Sequence, residues 1–266
     1  MNNFLTRSIS ALVYAAIFIF AILYSEQTYI GLITFFACVC IWEFSKIINS
    51  RVNIIYYTLI FGLVIASYFK LIHPNIILFL LIICLLNASY LILNLYSKSY
   101  LQLRGAQRLS LQCLYIVLSF FFLAYLPFKN NYYQPNLVIF IILLIWTNDS
   151  FAYLVGKNFG KHKLFERISP KKTIEGFVGG FIFSVLASLI IARFSTNFTL
   201  LNWITISIIV SVFGTLGDLI ESKFKRQANV KDSGTIMPGH GGLLDRLDSL
   251  FFLAPFVYLY IHFFIS

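Results

Sequence analysis

Residues 214–248 read GTLGDLIESKFKRQANVKDSGTIMPGHGGLLDRLD, and a long apolar segment lies on either side of them. This stretch holds five of the ten acidic residues of the chain and five of its twenty Lys and Arg residues. The remainder of the chain is mostly hydrocarbon. Such a concentration of charge therefore indicates a functional site between two apolar segments.

The composition excludes an ordinary soluble domain. Of the 266 residues, 59% are hydrophobic and 11% are charged, and the mean hydropathy is +0.85. Soluble domains carry about a quarter charged residues. Apolar runs of roughly 20 residues, the length that crosses the hydrocarbon core as a helix, recur along the chain. Because these runs are continuous rather than alternating, we predict helices instead of a closed barrel, and hence an all-α polytopic integral membrane protein.

We predict about nine transmembrane helices from these runs. Their approximate positions are 9–25, 28–46, 54–69, 75–96, 110–126, 136–156, 174–193, 203–221 and 247–265. Two long polar loops remain, at residues 157–173 and 222–246, and only two of the ten acidic residues precede residue 149. We therefore interpret residues 1–135 as an N-terminal transmembrane scaffold. Residues 136–266 would form a catalytic transmembrane region that contains both loops.

The basic residues predict the orientation of these helices. If the N-terminus is cytoplasmic, every Lys and Arg except Lys70, Lys129 and Arg193 lies on the cytoplasmic side, seventeen against three. Such a bias is typical of cytoplasmic loops, and it places both polar loops in the cytoplasm. We expect a protein of the bacterial inner (plasma) membrane with its active site facing the cytoplasm.

The net charge of +10 does not indicate a nucleic-acid partner. Most basic residues lie in short loops between spans, where they set orientation and meet the anionic lipid of the bilayer. The four cysteines all fall within predicted spans, and none has the spacing of zinc ligands with histidines. We interpret them as buried thiols.

Two pairs of carboxylates flank the second polar loop. Asp218 and Glu221 are three residues apart in one predicted helix, and Asp245 and Asp248 are three apart at the start of the next. Residues three or four apart share a helix face, so each pair points one way, with Ser222 beside the first. Two like charges so placed destabilise a helix unless a cation lies between them. Alternatively, the first pair is an acidic helix end exposed to water. The second pair would then only interact with the dipole of the helix that it begins.

Basic and glycine-rich segments lie between these pairs. Gly241 and Gly242 follow His240, and glycines let backbone N–H groups approach an anion closely at a helix N-terminus. Lys225 and Arg226 lie earlier in the loop. Carboxylates for Mg²⁺ beside Lys and Arg for phosphate oxygens are the groups that phosphoryl or nucleotidyl transfer requires. The orientation of the helices explains part of this basic content.

The first polar loop contains a second set of candidates. Ser169 and Pro170 predict a helix N-cap followed by the first helical position. Lys171, Lys172 and Thr173 would then lie in the first turn, where a phosphate is favourable. Capping alone does not account for two lysines at a helix N-terminus, which the helix dipole disfavours.

One acidic residue of the N-terminal half, Glu43, lies inside a predicted span. An ionisable group within the membrane indicates a function. The alternative is that Glu43 lies at the membrane interface and pairs with Lys46.

These residues together resemble a known family. The run from Ser222 to Asp248 reads S-x-F-K-R-x4-K-D-S-G-x2-M-P-x-H-G-G-L-x-D-R-L-D. Over its 27 positions it is similar to the signature of phosphatidate cytidylyltransferases, also called CDP-diacylglycerol synthases. The segment S-P-K-K-T-x-E-G at residues 169–176 resembles the family's second motif. Met237 is a mild departure, since the family usually has Leu, Ile or Phe there, and the N-terminal half resembles the family only in hydropathy.

The resemblance implies a nucleotidyltransferase of phospholipid biosynthesis that converts CTP and phosphatidate into CDP-diacylglycerol and pyrophosphate. It also implies Mg²⁺ as a cofactor, with a second, monovalent cation in some members, and a homodimer. A phosphate oxygen of phosphatidate would attack the α-phosphate of CTP with the assistance of the metal. The acyl chains would stay in the bilayer between spans.

The resemblance and the residue chemistry together assign roles to the candidates. We predict that the catalytic residues are Asp218, Asp245, Lys225, Arg226 and Asp248. The predicted metal ligands are Asp218 and Asp245, followed by Asp149 and Asp232. The residues expected to bind substrates are Ser169, Lys171, Lys172, Thr173, Ser222, Lys231, His240, Gly241, Gly242 and Arg246.

Other functions remain open. A CTP-dependent lipid kinase acting on polyprenol or phytol, or a synthase that uses an ether-lipid phosphate, fits the same scaffold. A cation transporter would also need carboxylates, but transporters tend to place them near the bilayer midplane in paired halves. A lipid-binding scaffold would not need five clustered aspartates.

Overall fold

The computed structural model describes residues 3–51, 53–129, 132–237 and 241–265. The helices in these ranges are α1 (Asn3–Tyr24), α2 (Glu26–Ile47), α3 (Ile54–Tyr68), α4 (Pro74–Tyr96), α5 (Ala106–Gln112), α6 (Leu118–Tyr125), α7 (Pro135–Phe159), α8 (Ile174–Phe194), α9 (Leu200–Gln227) and α10 (Leu244–Phe263). A π-helical turn over Cys113–Val117 joins α5 to α6 without a break. Two antiparallel hairpins are formed by β1 (Phe128–Lys129) with β2 (Tyr132–Tyr133), and by β3 (Lys163–Phe165) with β4 (Ser169–Thr173).

Each of the nine predicted spans coincides with a helix or with the continuous α5–α6 unit, so the all-α class is confirmed. Six helical units among the described residues are long and apolar enough to cross a membrane, namely α2, α4, α5–α6, α7, α8 and α9. Two shorter apolar helical segments, Ser10–Tyr24 of α1 and Ile54–Tyr68 of α3, lie in the same described part of the chain. Length and hydropathy thus support a polytopic membrane protein with six candidate spans in this part of the chain.

Helix α10 lies at the centre of the bundle. It packs against α2, α4, α6, α7 and α9, and it is buried along its length, from Leu247 to Ile261. A helix that is apolar all round is typical of such a position. The ring of Phe251 meets Tyr115 edge-on with 5.2 Å between centroids, and it stacks on Phe120 at 5.1 Å. These contacts hold α10 in place, so its charged first turn is positioned by the core.

Glycines bring α8 and α9 close to neighbouring helices. A Cβ on Gly180 of α8 would lie 2.6 Å from the carbonyl oxygen of Asn148 in α7. On Gly217 of α9, a Cβ would lie 2.8 Å from Phe252 Cβ and 2.9 Å from the carbonyl oxygen of Asp248, both in α10. Small residues at these positions let the backbones touch, as is common between membrane helices. The contact at Gly217 places the polar ends of α9 and α10 side by side.

The prediction that a helix begins just after Ser169 is wrong. Strand β4 occupies that segment, and α8 begins at Ile174 with the side chain of Thr173 as its N-cap. The ring of proline holds φ near −65°. That value fits the extended polyproline II conformation as well as the first turn of a helix, so Pro170 is compatible with either structure. The two lysines of the strand therefore lie before the helix rather than in its first turn, where the dipole would oppose them.

We predict that Gly217→Ala destabilises the bundle. The added methyl group would overlap α10, and overpacking of this kind costs about 1–3 kcal/mol. Gly62→Ala in α3 is the matched control, because no atom lies within 4 Å of a Cβ there. Thermal unfolding of the detergent-solubilised protein should show a lower midpoint for Gly217→Ala only. Equal midpoints for the two variants would contradict direct packing of α9 on α10.

Candidate active site

A cavity of 650 Å³ lies at one end of the bundle, among α7, β4, the start of α8, α9 and α10. Its ionisable lining residues are Asp149, Lys157, Lys163, Lys171, Lys172, Asp218, Lys225, Asp245, Arg246 and Asp248. The two polar segments that the sequence singled out therefore meet in one space. Asp218 and Asp245, which belong to different helices, both line it.

Lys225 is the buried cation of this site. Its side chain is on α9, and its Nζ lies 2.6 Å from Glu221 Oε2 on the same helix and 2.5 Å from Asp245 Oδ1 on α10. Only 8% of Lys225 and none of Glu221 is exposed. Glu221 and Lys225 are four residues apart, the spacing at which opposite charges meet on a helix. The pair of bridges thus ties the end of α9 to the start of α10.

Asp245 accepts hydrogen bonds from three further donors. Its Oδ2 receives the N–H of Ser233 at 2.8 Å, the hydroxyl of Ser233 at 2.9 Å and the N–H of Gly242 at 2.9 Å. Asp245 lies in the first turn of α10, outside the six candidate spans. Burial acts to raise the pKa of its carboxyl, but the hydrogen bond and charge of Lys225 and the two N–H groups outweigh it and hold the pKa below its ordinary value. Asp245 is therefore a carboxylate held in one orientation.

Asp218 connects α9 to the β3–β4 hairpin. Its carboxylate forms an ion pair with Lys172 of β4 and accepts a hydrogen bond from Ser222 Oγ at 3.1 Å. Both side chains of the ion pair are about one-third exposed. A pair of this exposure contributes little to stability, so its main consequence is that it places a lysine and a carboxylate together at the cavity wall.

A second cavity of 260 Å³, lined mostly by apolar side chains, opens beside the first, among α1, α7 and α10. Its apolar wall includes Tyr14 and Phe18 of α1 and Trp146 of α7. The residues common to both cavities are Asp149, Asp245, Arg246, Asp248 and Ser249. Polar and apolar spaces thus adjoin at these residues.

Two further predicted residues lie at this junction. Asp248 is 8% exposed, and its Oδ1 accepts the N–H of Ser249 at 2.6 Å. Asp149 of α7 accepts a hydrogen bond from the side-chain amide of Asn148 at 3.2 Å. Carboxylates from three helices, α7, α9 and α10, therefore line the same cavity.

The possible metal ligands that line this cavity suit a hard cation. It consists of carboxylate oxygens without cysteine or histidine, which is what Mg²⁺ prefers, and Glu221 Oε1 nearby is buried without a hydrogen-bond partner. Among the described residues, however, no three His, Cys, Asp or Glu side chains converge as a ready metal site. Lys172 and Lys225 lie against the carboxylates instead. The oxygen chemistry fits Mg²⁺, and the lysine ammonium groups occupy positions beside the oxygens that would hold it.

Several predicted site residues lie away from the cavity wall. Arg226 donates from Nε to the carbonyl oxygen of Ile168 and from a terminal nitrogen to that of Val230, both at 3.2 Å, so it braces the β3–β4 hairpin against α9. Lys231 and Asp232 are exposed in the loop after α9. Ser169 begins β4 and Ser222 bonds to Asp218, but neither lines the cavity. His240 lies outside the described residues.

Gly241 and Gly242 lie at the start of α10, against the carboxylate of Asp245. Gly241 has a φ of +86°, which favours glycine, and its carbonyl oxygen accepts the N–H of Met237 at 3.0 Å. A Cβ on Gly241 would lie 2.7 Å from Asp245 Oδ2. The described part of this segment therefore contacts the Asp245 carboxylate directly.

Three residues of this network, Glu43, Glu221 and Ser233, were given no role in the predicted site, although Glu43 and Glu221 were noted as candidates. Glu221 could have been found from its spacing to Lys225, and Ser233 from its place in the motif. Glu43 is fully buried and contacts the start of α10, about 200 residues later, whereas Lys46 lies over the ring of Trp42 at 3.2 Å. The interfacial pairing of Glu43 with Lys46 is therefore wrong. No local spacing points to the contact that Glu43 makes.

Comparisons with known proteins show the family to which the chain is similar. The model of the cytidylyltransferase family matches residues 5–264. A phosphatidate cytidylyltransferase of Staphylococcus saprophyticus is 52% identical over 120 residues, which are 44% of this chain and 46% of that protein. One of Bacillus subtilis (strain 168) is 44% identical over 154 residues, which are 56% of each chain. The chain spans about half the length of the curated relatives it matches.

We predict that Lys225→Met destabilises the protein, because it leaves the buried carboxylate of Glu221 without its cation. Removal of one partner of a buried ion pair costs about 3–5 kcal/mol. Adding Glu221→Gln should restore much of the thermal stability, since the uncompensated charge is then gone. Lys98→Met, at an exposed position, is the control. If the unfolding midpoint of Lys225→Met equals that of Lys98→Met, or if adding Glu221→Gln does not raise the midpoint, the ion pair does not stabilise the protein in this way.

Proposed function

The chain belongs to the cytidylyltransferase family, and we propose that it transfers the cytidylyl group of CTP to phosphatidate, which yields CDP-diacylglycerol and pyrophosphate. One observation carries the proposal. A polar cavity lined by carboxylates and lysines adjoins a cavity lined mostly by apolar side chains, and the two share Asp149, Asp245, Arg246 and Asp248. A reaction between a nucleotide and a lipid needs such a junction. The relatives that match the chain are named for this reaction.

The polar cavity suits the nucleotide. Its volume of 650 Å³ lies within the range of small-molecule sites. Lys163, Lys171, Lys172 and Arg246 line it and would bind phosphate oxygens, because ammonium and guanidinium groups are the usual partners of phosphate. Lys172 is already beside Asp218 and can exchange a carboxylate for a phosphate oxygen when CTP arrives.

The apolar cavity suits the lipid. Side chains of α1 and α7 line it, and it meets the polar cavity at Asp149 and Asp248. We place the glycerol end of phosphatidate here, with its acyl chains between helices in the bilayer. The phosphate group would then lie beside Arg246, at the boundary between hydrocarbon and water.

In the proposed reaction, an ionised phosphate oxygen of phosphatidate attacks the α-phosphorus of CTP. A new P–O bond forms, and the bond from the α-phosphorus to the oxygen that bridges it to the β-phosphorus breaks, so pyrophosphate leaves with that electron pair. The nucleophile carries no proton at neutral pH, and a strong general base is not required. The main barrier is the repulsion between two anions, which Lys171, Lys172 and Lys225 would reduce.

Asp218 and Asp245, with Asp149 beside them, would hold Mg²⁺. The ion would neutralise charge on the triphosphate and stabilise the departing pyrophosphate. Asp232 is exposed and outside the cavity wall, so it is a weaker candidate ligand. The second, monovalent cation and the homodimer implied by the family resemblance stay predictions.

We predict that purified membranes transfer label from [α-³²P]CTP to lipid when phosphatidate is added, and that EDTA prevents the transfer. Asp218→Asn and Asp245→Asn should each lower turnover by on the order of 10²–10³-fold, because the amide loses the charge that a cation requires. Glu166→Gln, an exposed change in the loop between β3 and β4, is the matched control.

Three results would overturn this assignment. Transfer of the γ-phosphate alone would identify a lipid kinase instead. Cation flux through vesicles without CTP consumption would favour a transporter. Full activity of either aspartate variant, with normal insertion in the membrane, would contradict the role of that carboxylate.

We propose that this site faces the cytoplasm. The loop after α4, the β3–β4 hairpin and the end of α9 lie together, since Arg167 donates to the Ser97 carbonyl oxygen and Gln227 to that of Leu101, both at 2.5 Å. These segments carry most of the basic loop residues, which favours a cytoplasmic location. Lys70 instead lines a separate cavity near Phe128, with residues of α4 and the last turns of α10.

Sealed vesicles of known orientation test this proposal, since CTP does not cross a bilayer. Inverted vesicles of the inner membrane should consume added CTP, and right-side-out vesicles should do so only after detergent is added. The opposite result would place the site on the other face.

A further inference from the structure

The side chain of Glu43, on α2, is buried against the start of α10. It is 0% exposed. Its Oε1 accepts the N–H of Leu243 at 3.2 Å, and its Oε2 accepts the N–H of Leu244 at 2.8 Å and shares the hydroxyl proton of Ser233, at 3.2 Å, with Asp245 Oδ2. Three donors from the catalytic region thus converge on one side chain of the N-terminal half.

These contacts give the first N–H groups of α10 hydrogen-bond acceptors that the helix does not supply itself. The first N–H groups of a helix have no partner within the helix, and a buried helix start needs an acceptor. The N-cap position of α10 is Leu243, which makes no side-chain capping bond. Glu43 therefore caps α10 from another helix, and its negative charge also suits the positive end of the α10 dipole.

The glycine-rich segment is built around this carboxylate. A Cβ on Gly242 would lie 2.6 Å from Glu43 Oε1 and 2.7 Å from Oε2, and one on Gly234 would lie 3.0 Å from Glu43 Cδ. Neither position has room for a larger residue. The glycines of this segment thus allow the loop to close on Glu43.

Ser233 connects Glu43 to the site. Its hydroxyl lies 3.2 Å from Glu43 Oε2 and 2.9 Å from Asp245 Oδ2, and Asp245 in turn lies against Lys225. Glu43 itself is not among the residues that line either cavity. Any effect of Glu43 on the reaction must therefore pass through Ser233 and the first turn of α10.

We infer that Glu43 is a positioning residue, which holds Ser233, the first turn of α10 and the carboxylate of Asp245 in the geometry that catalysis needs. This inference rests on the proposed function. It also explains why an acidic residue lies within a span of the N-terminal half: the scaffold contributes the acceptor that organises the catalytic end.

The test compares Glu43→Gln with the wild type in two measurements. Glutamine keeps the size of the side chain, but its NH₂ group would face a donor, so the three hydrogen bonds cannot all persist. We expect kcat to fall by on the order of 10–100-fold, as for other residues that orient a metal-ligating side chain. Hydrogen exchange should rise in a peptide covering residues 231–247 and stay unchanged in one covering residues 110–125.

Two controls separate positioning from general destabilisation. Glu26→Gln makes the same chemical change at the half-buried start of α2, where Glu26 lines neither cavity of the site, and should leave kcat and exchange in residues 231–247 unchanged. Gln112→Leu removes buried hydrogen bonds from Gln112 Nε2 to Ile41 O at 2.7 Å and Ser45 Oγ at 2.6 Å, which join α5 to α2. It should raise exchange in residues 110–125 and leave the kcat of the folded fraction within about twofold.

If Glu43→Gln does not fold, Ser233→Ala decides the question, because it breaks the same connection and leaves Glu43 in place. A several-fold loss of kcat with faster exchange in residues 231–247 supports the inference. Wild-type kcat and exchange in Glu43→Gln, or in Ser233→Ala in its place, overturn it. Absence of CDP-lipid formation by the wild type would instead refute the proposed function, and the exchange measurement would still test the contact.

Discussion

The ammonium group of Lys225, held between Glu221 and Asp245, is the interaction on which the site depends. An isolated charge in the interior of a helical bundle costs several kcal/mol, so two carboxylates remain there only because a cation lies between them. The same cation joins two helices, since Glu221 is on α9 and Asp245 is on α10. Charge balance and helix packing are thus satisfied by one side chain.

The packing of the bundle makes this arrangement possible. Gly217 lets α9 touch α10, and the aromatic contacts of Phe251 hold α10 at the centre. Because close helix contact in a membrane comes from small residues rather than from a hydrophobic force, one glycine can set the distance between two charged faces. The packing of apolar residues around the site therefore sets its dimensions.

Both halves of the chain contribute residues to the site. The second half contains the cavity and its ionisable residues, and the first half contributes Tyr14 and Phe18 to the apolar space and Glu43 to the start of α10. The N-terminal helices are thus more than a lipid-facing scaffold. The adjoining cavities suit the two reactants of opposite solubility that we propose, a nucleotide and a lipid, which would meet at the edge of the hydrocarbon.

The sequence by itself determined the helical class, because apolar runs of span length admit few other structures in lipid. It also determined the family and most of the cavity's charged residues, since their spacing in the motif is local. Only the tertiary structure decided that Ser169 begins a strand, that Arg226 braces a hairpin, and that Glu43 caps a helix about 200 residues away. Those outcomes depend on which donors and acceptors the packing brings together, and no periodicity along one segment encodes a partner on another.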